Sequence, residues 1–355
     1  MNTEKKRVLI VDDSVFARRV LTDILDSSPY LKVVGTAVNG IDALAKVESL
    51  KPDVVTMDIG MPKLDGIETL RQLMITRPTR VVMISSLIHA GAKESVLALK
   101  LGAVDVMAKP HRTHSIGIAA QHNELIEKVI AAAHVNVEHL SPLSTSASRP
   151  RLPLISHTRD HFPIVIIASS TGGPRALRML IPALGDAGNA AYVLVQHLPA
   201  GFSKMMAEDL NALTSLSVRE ASSDEERLHP GEVLFAKSGH HLVFHRNQSA
   251  GLSLSPPLWG VRPSADITMV SAAPVFGARI IGVVLTGMGS DGAAGLRAIR
   301  EQGGTTIAEH ESTCVVYGMP RVAIESGVVD VIAPINHMAE AINAAAARTA
   351  RNMAA

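Results

Sequence analysis

The chain has 355 residues, which at about 150 residues per domain predicts two or three domains. Its 34 basic side chains nearly balance its 33 acidic ones, so neither a DNA-binding output nor a basic membrane-surface patch is expected. The one cysteine, Cys314, cannot form an intrachain disulfide, and no apolar stretch approaches the ~18 residues of a membrane span. We therefore expect a soluble, cytoplasmic protein.

Five short aliphatic runs alternate with amphipathic stretches in the first part of the chain. The runs are residues 8–11, 32–35, 53–57, 80–84 and 104–107. This alternation predicts a (βα)5 flavodoxin-like domain over residues 1–133, with a parallel sheet whose ligands bind at the carboxyl ends of the strands. The aromatic residues are few (1 Trp, 3 Tyr and 6 Phe) although 47% of the chain is hydrophobic, as is typical of aliphatic, doubly covered parallel sheets.

Charged and hydroxyl side chains follow four of these predicted strands. Asp12 and Asp13 follow the first, Asp58 the third, Ser85 the fourth, and Lys109 lies just past the fifth. An Asp pair or a Lys-Pro step taken alone is typical of a turn, but all five residues are predicted to meet at one sheet edge. Three converging carboxylates need a cation, and their hard oxygen atoms suit Mg²⁺. One carboxylate could then attack a phosphoryl group.

This pattern resembles the receiver domain of bacterial two-component response regulators. The resemblance rests on the acidic pair, on the segment 58–66 with its Met-Pro and Asp-Gly steps, on Ser85, and on Lys109-Pro110. It implies that Asp58 accepts phosphate from a chemotaxis histidine kinase, with Ser85 and Lys109 as switch residues.

The same resemblance implies a metal site and shows two departures. Asp13, Asp58 and the Gly60 carbonyl would hold Mg²⁺, and Asp12 would contribute through water. Gly60 replaces a larger polar residue common in receivers, and Val106 stands where many receivers carry an aromatic switch residue. We expect the usual rotamer switch to be absent at Val106.

The periodicity stops between residues 134 and 161, where the Ser- and Pro-rich segment 141–150 predicts an interdomain linker. Beyond it, a second, mostly parallel α/β domain is expected over residues 162–348, followed by a tail at 349–355. Its predicted strands are residues 164–168, 191–196, 232–236, 241–245 and 280–285. Helices are predicted at 175–184, 203–213 and 293–302, with a hairpin near 232–254.

A hydroxyl-rich turn follows the first strand of this domain. Residues 169–174 read Ser-Ser-Thr-Gly-Gly-Pro and precede a predicted helix. A serine on such a strand-to-helix turn is exposed beside backbone N–H groups that can stabilise a developing anion. A plain helix N-cap is the competing interpretation, whereas a phosphate-binding loop lacks its glycine pattern here.

His197 and Asp291 follow two other predicted strands and should reach the same sheet edge as the serine turn. That placement is what an acyl-transfer triad requires, since imidazole takes the hydroxyl proton and the carboxylate orients the ring. The chain order Ser, His, Asp differs from those of chymotrypsin, subtilisin and the α/β-hydrolases. A metal site at the cluster 240–245 is disfavoured, because its histidines have no neighbouring cysteine or carboxylate to complete a ligand set.

Residues 162 to about 336 resemble the catalytic domain of the chemotaxis protein-glutamate methylesterase (CheB) family. Five motifs carry this resemblance: residues 170–173, 196–199, 261–264, 285–292 and 317–321. It implies Ser170 as nucleophile, His197 as base and Asp291 as its partner, with Thr171 and the Met288 backbone in the oxyanion hole. The family commonly has Gly-Ala where this chain has Ala168-Ser169, so Ser169 competes with Ser170; the spacing to the glycine pair favours Ser170.

The combined resemblance implies a phosphorylation-regulated enzyme that removes methyl groups from glutamates of methyl-accepting chemoreceptors, releases methanol, and deamidates receptor glutamines. Mg²⁺ is expected only in the receiver, with no cofactor in the esterase domain. The protein should be a monomer that binds no nucleic acid and reaches the membrane only through receptors. A receiver-controlled binding regulator with an inactive esterase domain is the alternative. A transcriptional regulator would need a helix-turn-helix, which is not recognisable here.

Overall fold

The computed structural model describes residues 4–85, 91–109, 118–140, 161–184 and 190–354. The chain divides into two compact units, Met1–Ser144 and Thr145–Ala355. Each unit contains a parallel sheet with alternating helices, so the predicted α/β class is confirmed. The predicted linker segment 141–150 lies outside the described residues.

The first unit follows the predicted (βα)5 pattern. Its elements are β1 (Lys6–Val11), α1 (Val15–Asp26), β2 (Leu31–Ala37), α2 (Gly40–Leu50), β3 (Val54–Asp58), α3 (Gly66–Thr76), β4 (Val81–Ser85), α4 (Gly91–Leu101), β5 (Asp105–Ala108) and α5 (Ile118–Ala133). A short 3₁₀ helix, Val137–Leu140, follows α5. The Arg80 Nε donates to the Val135 carbonyl at 2.6 Å and Leu140 is buried, so residues beyond α5 still pack on this unit.

The five strands form one parallel sheet in the order β2-β1-β3-β4-β5. The strand order reverses between β1 and β3, which makes their carboxyl ends the expected ligand-binding crevice. The residues there are Asp12, directly after β1, and Asp58, the last residue of β3. Helix α3 begins close by, where the Asp65 carboxylate caps it by accepting the Glu68 N–H at 2.8 Å.

The second unit is larger. Its elements are β6 (Ile164–Ser169), α6 (Gly173–Ala183), β7 (Ala191–Gln196), α7 (Ser203–Asn211), β8 (Ser217–Glu220), β9 (Glu232–Phe235), β10 (His241–Phe244), β11 (Ala250–Ser253), α8 (Ala265–Phe276), β12 (Ile280–Val284), α9 (Ala293–Glu301), β13 (Thr305–Glu309), α10 (Met319–Glu325), β14 (Val331–Ala333) and α11 (Ile335–Ala354). Helix α11 continues through most of the range predicted to be a tail.

Seven strands form a parallel sheet in the order β14-β13-β12-β6-β7-β9-β8. The hairpin predicted near residues 232–254 is formed only by β10 and β11. These two strands pair antiparallel in a separate two-stranded sheet. Strand β9 instead pairs in parallel with β7 and β8. The strands that follow β6 in the chain lie first on one side of it (β7, β9 and β8) and later on the other side (β12, β13 and β14). The strand order therefore reverses at β6.

Alternate residues of the central strand β6 face two separate hydrophobic cores. Val165 and Ile167 pack with α6, α7 and α11, whereas Ile166 and Ala168 pack with α8, α9, α10 and the hairpin. Burial on both faces explains why β6 reads as an unbroken aliphatic run. It also leaves the carboxyl end of the strand as the place where polar side chains can gather.

Candidate functional site

The turn between β6 and α6 holds Ser170 beside the neighbouring strand end. The Ser170 N–H donates to the Thr286 carbonyl at 3.0 Å, and the Gly173 N–H donates to the Ser170 carbonyl at 2.8 Å. Gly172 has a φ of +80°, and a Cβ there would lie 2.4 Å from the Val315 Cβ. Only glycine fits this backbone, because the left-handed conformation and the close approach both exclude a side chain.

Ser169 and Ser170 differ in what their hydroxyl groups can do. Ser169 is fully buried, and its Oγ donates to the Gln196 Oε1 at 2.6 Å. The Gln196 Nε2 then donates to the carbonyls of Ser170 and His197 at 2.9 and 3.0 Å. Ser169 therefore belongs to a buried network that ties the ends of β6 and β7 together. Ser170, by contrast, retains 8% exposure.

His197 and Asp291 form a close pair beside this turn. His197 directly follows β7, and its N–H donates to the Ser169 carbonyl at 3.1 Å. Its Nε2 lies 2.7 Å from the Asp291 Oδ2. Of the described hydrogen bonds, none joins the Ser170 Oγ to the ring, an arrangement common in enzymes without bound substrate. The sequence-predicted Ser, His and Asp thus gather at one sheet edge, with the His-Asp bond formed.

The Asp291 carboxylate is buried and surrounded by donors at the start of α8. Its Oδ1 accepts the Ser264 hydroxyl at 2.7 Å and the Asp266 N–H at 2.9 Å, while Oδ2 accepts the Ala265 N–H at 2.7 Å. Burial opposes ionisation, but hydrogen bonds from His197 and from the helix backbone hold the pKa of Asp291 below its ordinary value. The carboxylate therefore stays charged next to the imidazole.

The two residues predicted for an oxyanion hole lie on segments held against Ser170. Thr171 is buried, and its carbonyl accepts the Thr286 hydroxyl at 3.0 Å. Met288 follows Gly287, where a Cβ would lie only 2.8 Å from the Ser170 Cβ. The N–H groups of Gly318 and Met319 donate to the Gly287 carbonyl at 3.0 and 2.8 Å, which fixes this segment beside the serine.

Sequence reasoning did not single out four supporting residues. Gln196 and Ser264 stand inside motifs that were recognised, so their positions offered a signal. Thr286 also stands in such a motif, whereas Glu309 at the end of β13 had none. Glu309 is fully buried and accepts the Thr286 N–H at 2.8 Å and the Thr313 hydroxyl at 2.9 Å. Burial raises the pKa of Glu309 to about 7.

The first unit gathers its predicted acidic residues at the switch between β1 and β3. Carboxylate oxygens of Asp12, Asp13 and Asp58 lie within 4.8 Å of one another. The Lys109 Nζ lies 2.8 Å from the Asp12 Oδ2 and 2.7 Å from the Asp58 Oδ2. Burial and the Asp12 charge raise the pKa of Asp58, although Lys109 opposes that shift. The pKa of Lys109 is raised in turn, since its two carboxylate partners outweigh the effect of burial.

This cluster fits a hydrated divalent cation. Three hard oxygen donors are close enough for one ion to bind, and Asp13 is exposed, so the site opens to solvent. Gly60 is exposed nearby, with no described atom within 4 Å of where its Cβ would be. Ser85 is buried at the end of β4, and its carbonyl accepts the Lys109 N–H at 2.8 Å.

Comparison with known proteins agrees with this two-site arrangement. The family model described as CheB methylesterase matches residues 165–342, and the response regulator receiver domain matches residues 8–121. The chain belongs to the CheB methylesterase family. A protein-glutamate methylesterase/protein-glutamine glutaminase of Symbiobacterium thermophilum is 45% identical over 353 residues, covering 96% of each chain. The protein of that name from Thermotoga maritima is 44% identical over 333 residues, covering 92% of this chain and 95% of its own.

A solved structure supports the assignment of the second unit. The crystal structure of the Thermotoga maritima CheB methylesterase catalytic domain matches with a TM-score of 0.50 and 41% identity, covering 52% of this chain and 98% of that one. The predicted family, the receiver-plus-methylesterase architecture and the hydrolase class are therefore confirmed. Among the described helices, none is long and apolar enough to cross a membrane.

Proposed function

We propose that this CheB-family chain is a phosphorylation-regulated protein-glutamate methylesterase acting on methyl-accepting chemoreceptors, and that it also deamidates receptor glutamines. The names of its relatives carry both activities. The observation that carries the proposal is the 2.7 Å pair of His197 and Asp291 beside the Ser170 turn. Attack on an ester and on a primary amide passes through the same kind of tetrahedral intermediate, so one serine serves both reactions.

The orientation of the His197 ring supports a specific route for the proton transfers. Since the Nε2 of His197 pairs with Asp291, the Nδ1 takes the proton from the Ser170 hydroxyl as Oγ attacks the ester carbonyl carbon. The intermediate collapses by breaking the bond to the methoxy oxygen, which leaves with the imidazolium proton as methanol. Water then hydrolyses the glutamyl-serine ester with the same base. For a glutamine substrate the leaving group is ammonia.

Asp291 stabilises the imidazolium that forms during each transfer. Its lowered pKa keeps the carboxylate ionised, and the bond to Nε2 fixes the tautomer that leaves Nδ1 free to accept. The N–H groups of Thr171 and Met288 are proposed to donate to the oxyanion. Loss of one oxyanion donor of this kind typically lowers kcat on the order of 10²–10³-fold.

In the receiver, Asp58 is proposed to accept phosphate from a chemotaxis histidine kinase. Asp13, Asp58 and the Gly60 carbonyl would hold Mg²⁺, with Asp12 contributing through water; the ion neutralises charge on the transferred phosphoryl group when bound. Lys109 already contacts the Asp58 carboxylate and would donate to the new phosphate. Ser85, with Lys109, would report phosphorylation to the rest of the domain.

The proposed substrate and phosphodonor imply further properties. Receptor glutamates and a signalling kinase meet in the cytoplasm, so we infer a cytoplasmic enzyme that approaches the membrane only through receptors. We expect a monomer without nucleic-acid binding, whose esterase domain needs no cofactor. The two domains are proposed to span residues 1–133 and 162–348, joined by the linker 134–161 and followed by the tail 349–355.

The deciding experiment measures methanol released from receptor-bearing membranes carrying radiolabelled methyl esters. We expect the full-length chain to release methanol, faster with a phosphodonor, and Ser170→Ala to abolish the release. If the wild-type and Ser170→Ala chains release methanol equally slowly, the chain is instead a binding regulator with an inactive esterase domain.

A further inference from the structure

His241 is a buried histidine that the proposed reaction does not use directly. It is the first residue of β10 and lies against the segment that leads into α8. Its Nδ1 accepts the Ser264 N–H at 3.1 Å, and its Nε2 lies 3.1 Å from the Pro256 carbonyl oxygen. A backbone N–H can only donate and a carbonyl oxygen can only accept. The ring must therefore be neutral, with its proton on Nε2.

Ser264 connects this histidine to the catalytic carboxylate. It is the fully buried N-cap of α8, and its Oγ donates to the Asp291 Oδ1 at 2.7 Å. The other oxygen of Asp291 pairs with His197. Hydrogen bonds thus link His241 to the base: Ser264 donates its N–H to His241 and its hydroxyl to Asp291, and Asp291 pairs with His197.

We infer that His241 is a positioning residue: its neutral ring holds the Ser264 backbone so that the Ser264 hydroxyl and the start of α8 orient Asp291 toward His197. This inference rests on the proposed function. Burial, together with the nearby charge of Arg262, lowers the pKa of His241 despite its bond to Pro256 and the opposing charge of Asp291, which favours the neutral ring. The histidine cluster considered for a metal thus contributes one member to the support of the triad.

Two substitutions in the full-length chain separate this role from simple core packing. In His241→Asn, the side-chain oxygen occupies the place of Nδ1 and can still accept the Ser264 N–H, while the bond to Pro256 is lost. In His241→Gln, the longer amide reaches toward Pro256 and leaves the Ser264 N–H without an acceptor. Each variant loses one buried hydrogen bond. If His241 had only a structural role, the two variants should therefore lose stability and activity to similar extents.

Methanol release from membranes bearing a radiolabelled methylated receptor is measured for both variants, with thermal unfolding as the stability control. We expect kcat of His241→Asn to stay within about threefold of wild type and kcat of His241→Gln to fall at least about tenfold, with KM changed by less than about twofold. Equal kcat for the two variants, or losses that simply follow their melting temperatures, would overturn the inference.

A second measurement needs no variant. NMR of the ¹⁵N-labelled wild-type imidazole should show the His241 proton on Nε2, and a proton on Nδ1 would overturn the assignment. A wild-type chain that releases no methanol, with the Nε2 proton present, would mean that the proposed function has failed, and the positioning role of His241 with it. That result differs from an active wild-type enzyme whose two His241 variants have equal kcat, which would overturn only the role of His241.

Discussion

Asp291 and Asp266 cap each other's helices. Asp291 precedes α9 but accepts the N–H groups of Ala265 and Asp266 at the start of α8, at 2.7 and 2.9 Å. The Asp266 Oδ1 accepts the N–H groups of Gly292 and Gly295 at the start of α9, at 2.9 and 2.7 Å. Each buried carboxylate thus lies at the positive end of a helix, and the Asp291 carboxylate also pairs with the His197 imidazole.

This exchange of caps predicts different outcomes for two conservative variants. Asp291→Asn should lower kcat at least about a hundredfold, because the amide no longer stabilises the imidazolium or fixes its tautomer. Asp266→Asn should cost about 1–2 kcal/mol of unfolding free energy while kcat stays within about fivefold. Methanol release and chemical denaturation of both variants test this. Equal losses of kcat at equal stability would show that the carboxylates are not functionally distinct.

The adjacent serines provide a matched pair for identifying the nucleophile. Ser170→Ala should lower methanol release at least about a thousandfold, because the attacking oxygen is removed. Ser169→Ala removes only the buried bond to Gln196, so we expect a loss of about 1 kcal/mol in stability and a change in kcat of a few fold. An inactive Ser169→Ala chain beside an active Ser170→Ala chain would reverse the assignment.

Asp58 should be the phosphoacceptor of the receiver. Asp58→Asn is expected to incorporate no acyl phosphate from radiolabelled acetyl phosphate. Its methanol release should no longer respond to the phosphodonor. Asp65→Asn is the control, since asparagine caps a helix about as well as aspartate and Asp65 is outside the acidic cluster. Labelling of Asp58→Asn at the wild-type level would exclude the assignment.

Chelation should separate the two sites chemically. Among the described residues, the cluster of three carboxylates close enough to hold a divalent cation lies in the receiver, so EDTA should stop phosphate incorporation at Asp58, and added Mg²⁺ should restore it. Methanol release by the unphosphorylated chain should change by less than about twofold, since serine, imidazole and carboxylate need no metal. A chelator that abolished unphosphorylated methanol release would contradict a metal-free esterase mechanism.

Glu309 should make stability pH-dependent in a direction opposite to that of a salt-bridged acid. Its pKa is raised from 4.5 to about 7, so between those values the folded chain keeps a proton that the unfolded chain releases. Unfolding free energy should therefore fall as pH rises through this window, by about 3 kcal/mol, and level off above it.

Urea denaturation at pH values across that window tests the expectation. Glu309→Gln should remove most of the dependence, because the amide does not titrate. Glu311→Gln, at an exposed neighbouring position, is the control and should retain it. A wild-type stability that instead rises between the two pKa values would show that Glu309 is not buried as a neutral acid.

The residue pattern alone determined the fold class and the gathering of the two sites. Parallel strands buried on both faces are predominantly aliphatic, so β1, β3 and β6 are visible in the sequence as short, mostly aliphatic runs. Where such a run ends, the next polar residue lies at the carboxyl edge of the sheet. The sequence alone therefore places five site residues at or just past strand ends: Asp12, Asp58, Ser170, His197 and Asp291.

Tertiary structure decided how those side chains are used. Ser169 and Ser170 have the same chemistry, and only the packing of Gln196 against β6 commits one hydroxyl to the interior. The choice of Nε2 for Asp291, the neutral ring of His241 and the burial of Glu309 likewise depend on contacts between residues distant in the chain. Alternation along the sequence specifies which residues reach an edge, but hydrogen bonds depend on distance and direction, which only the packed fold sets.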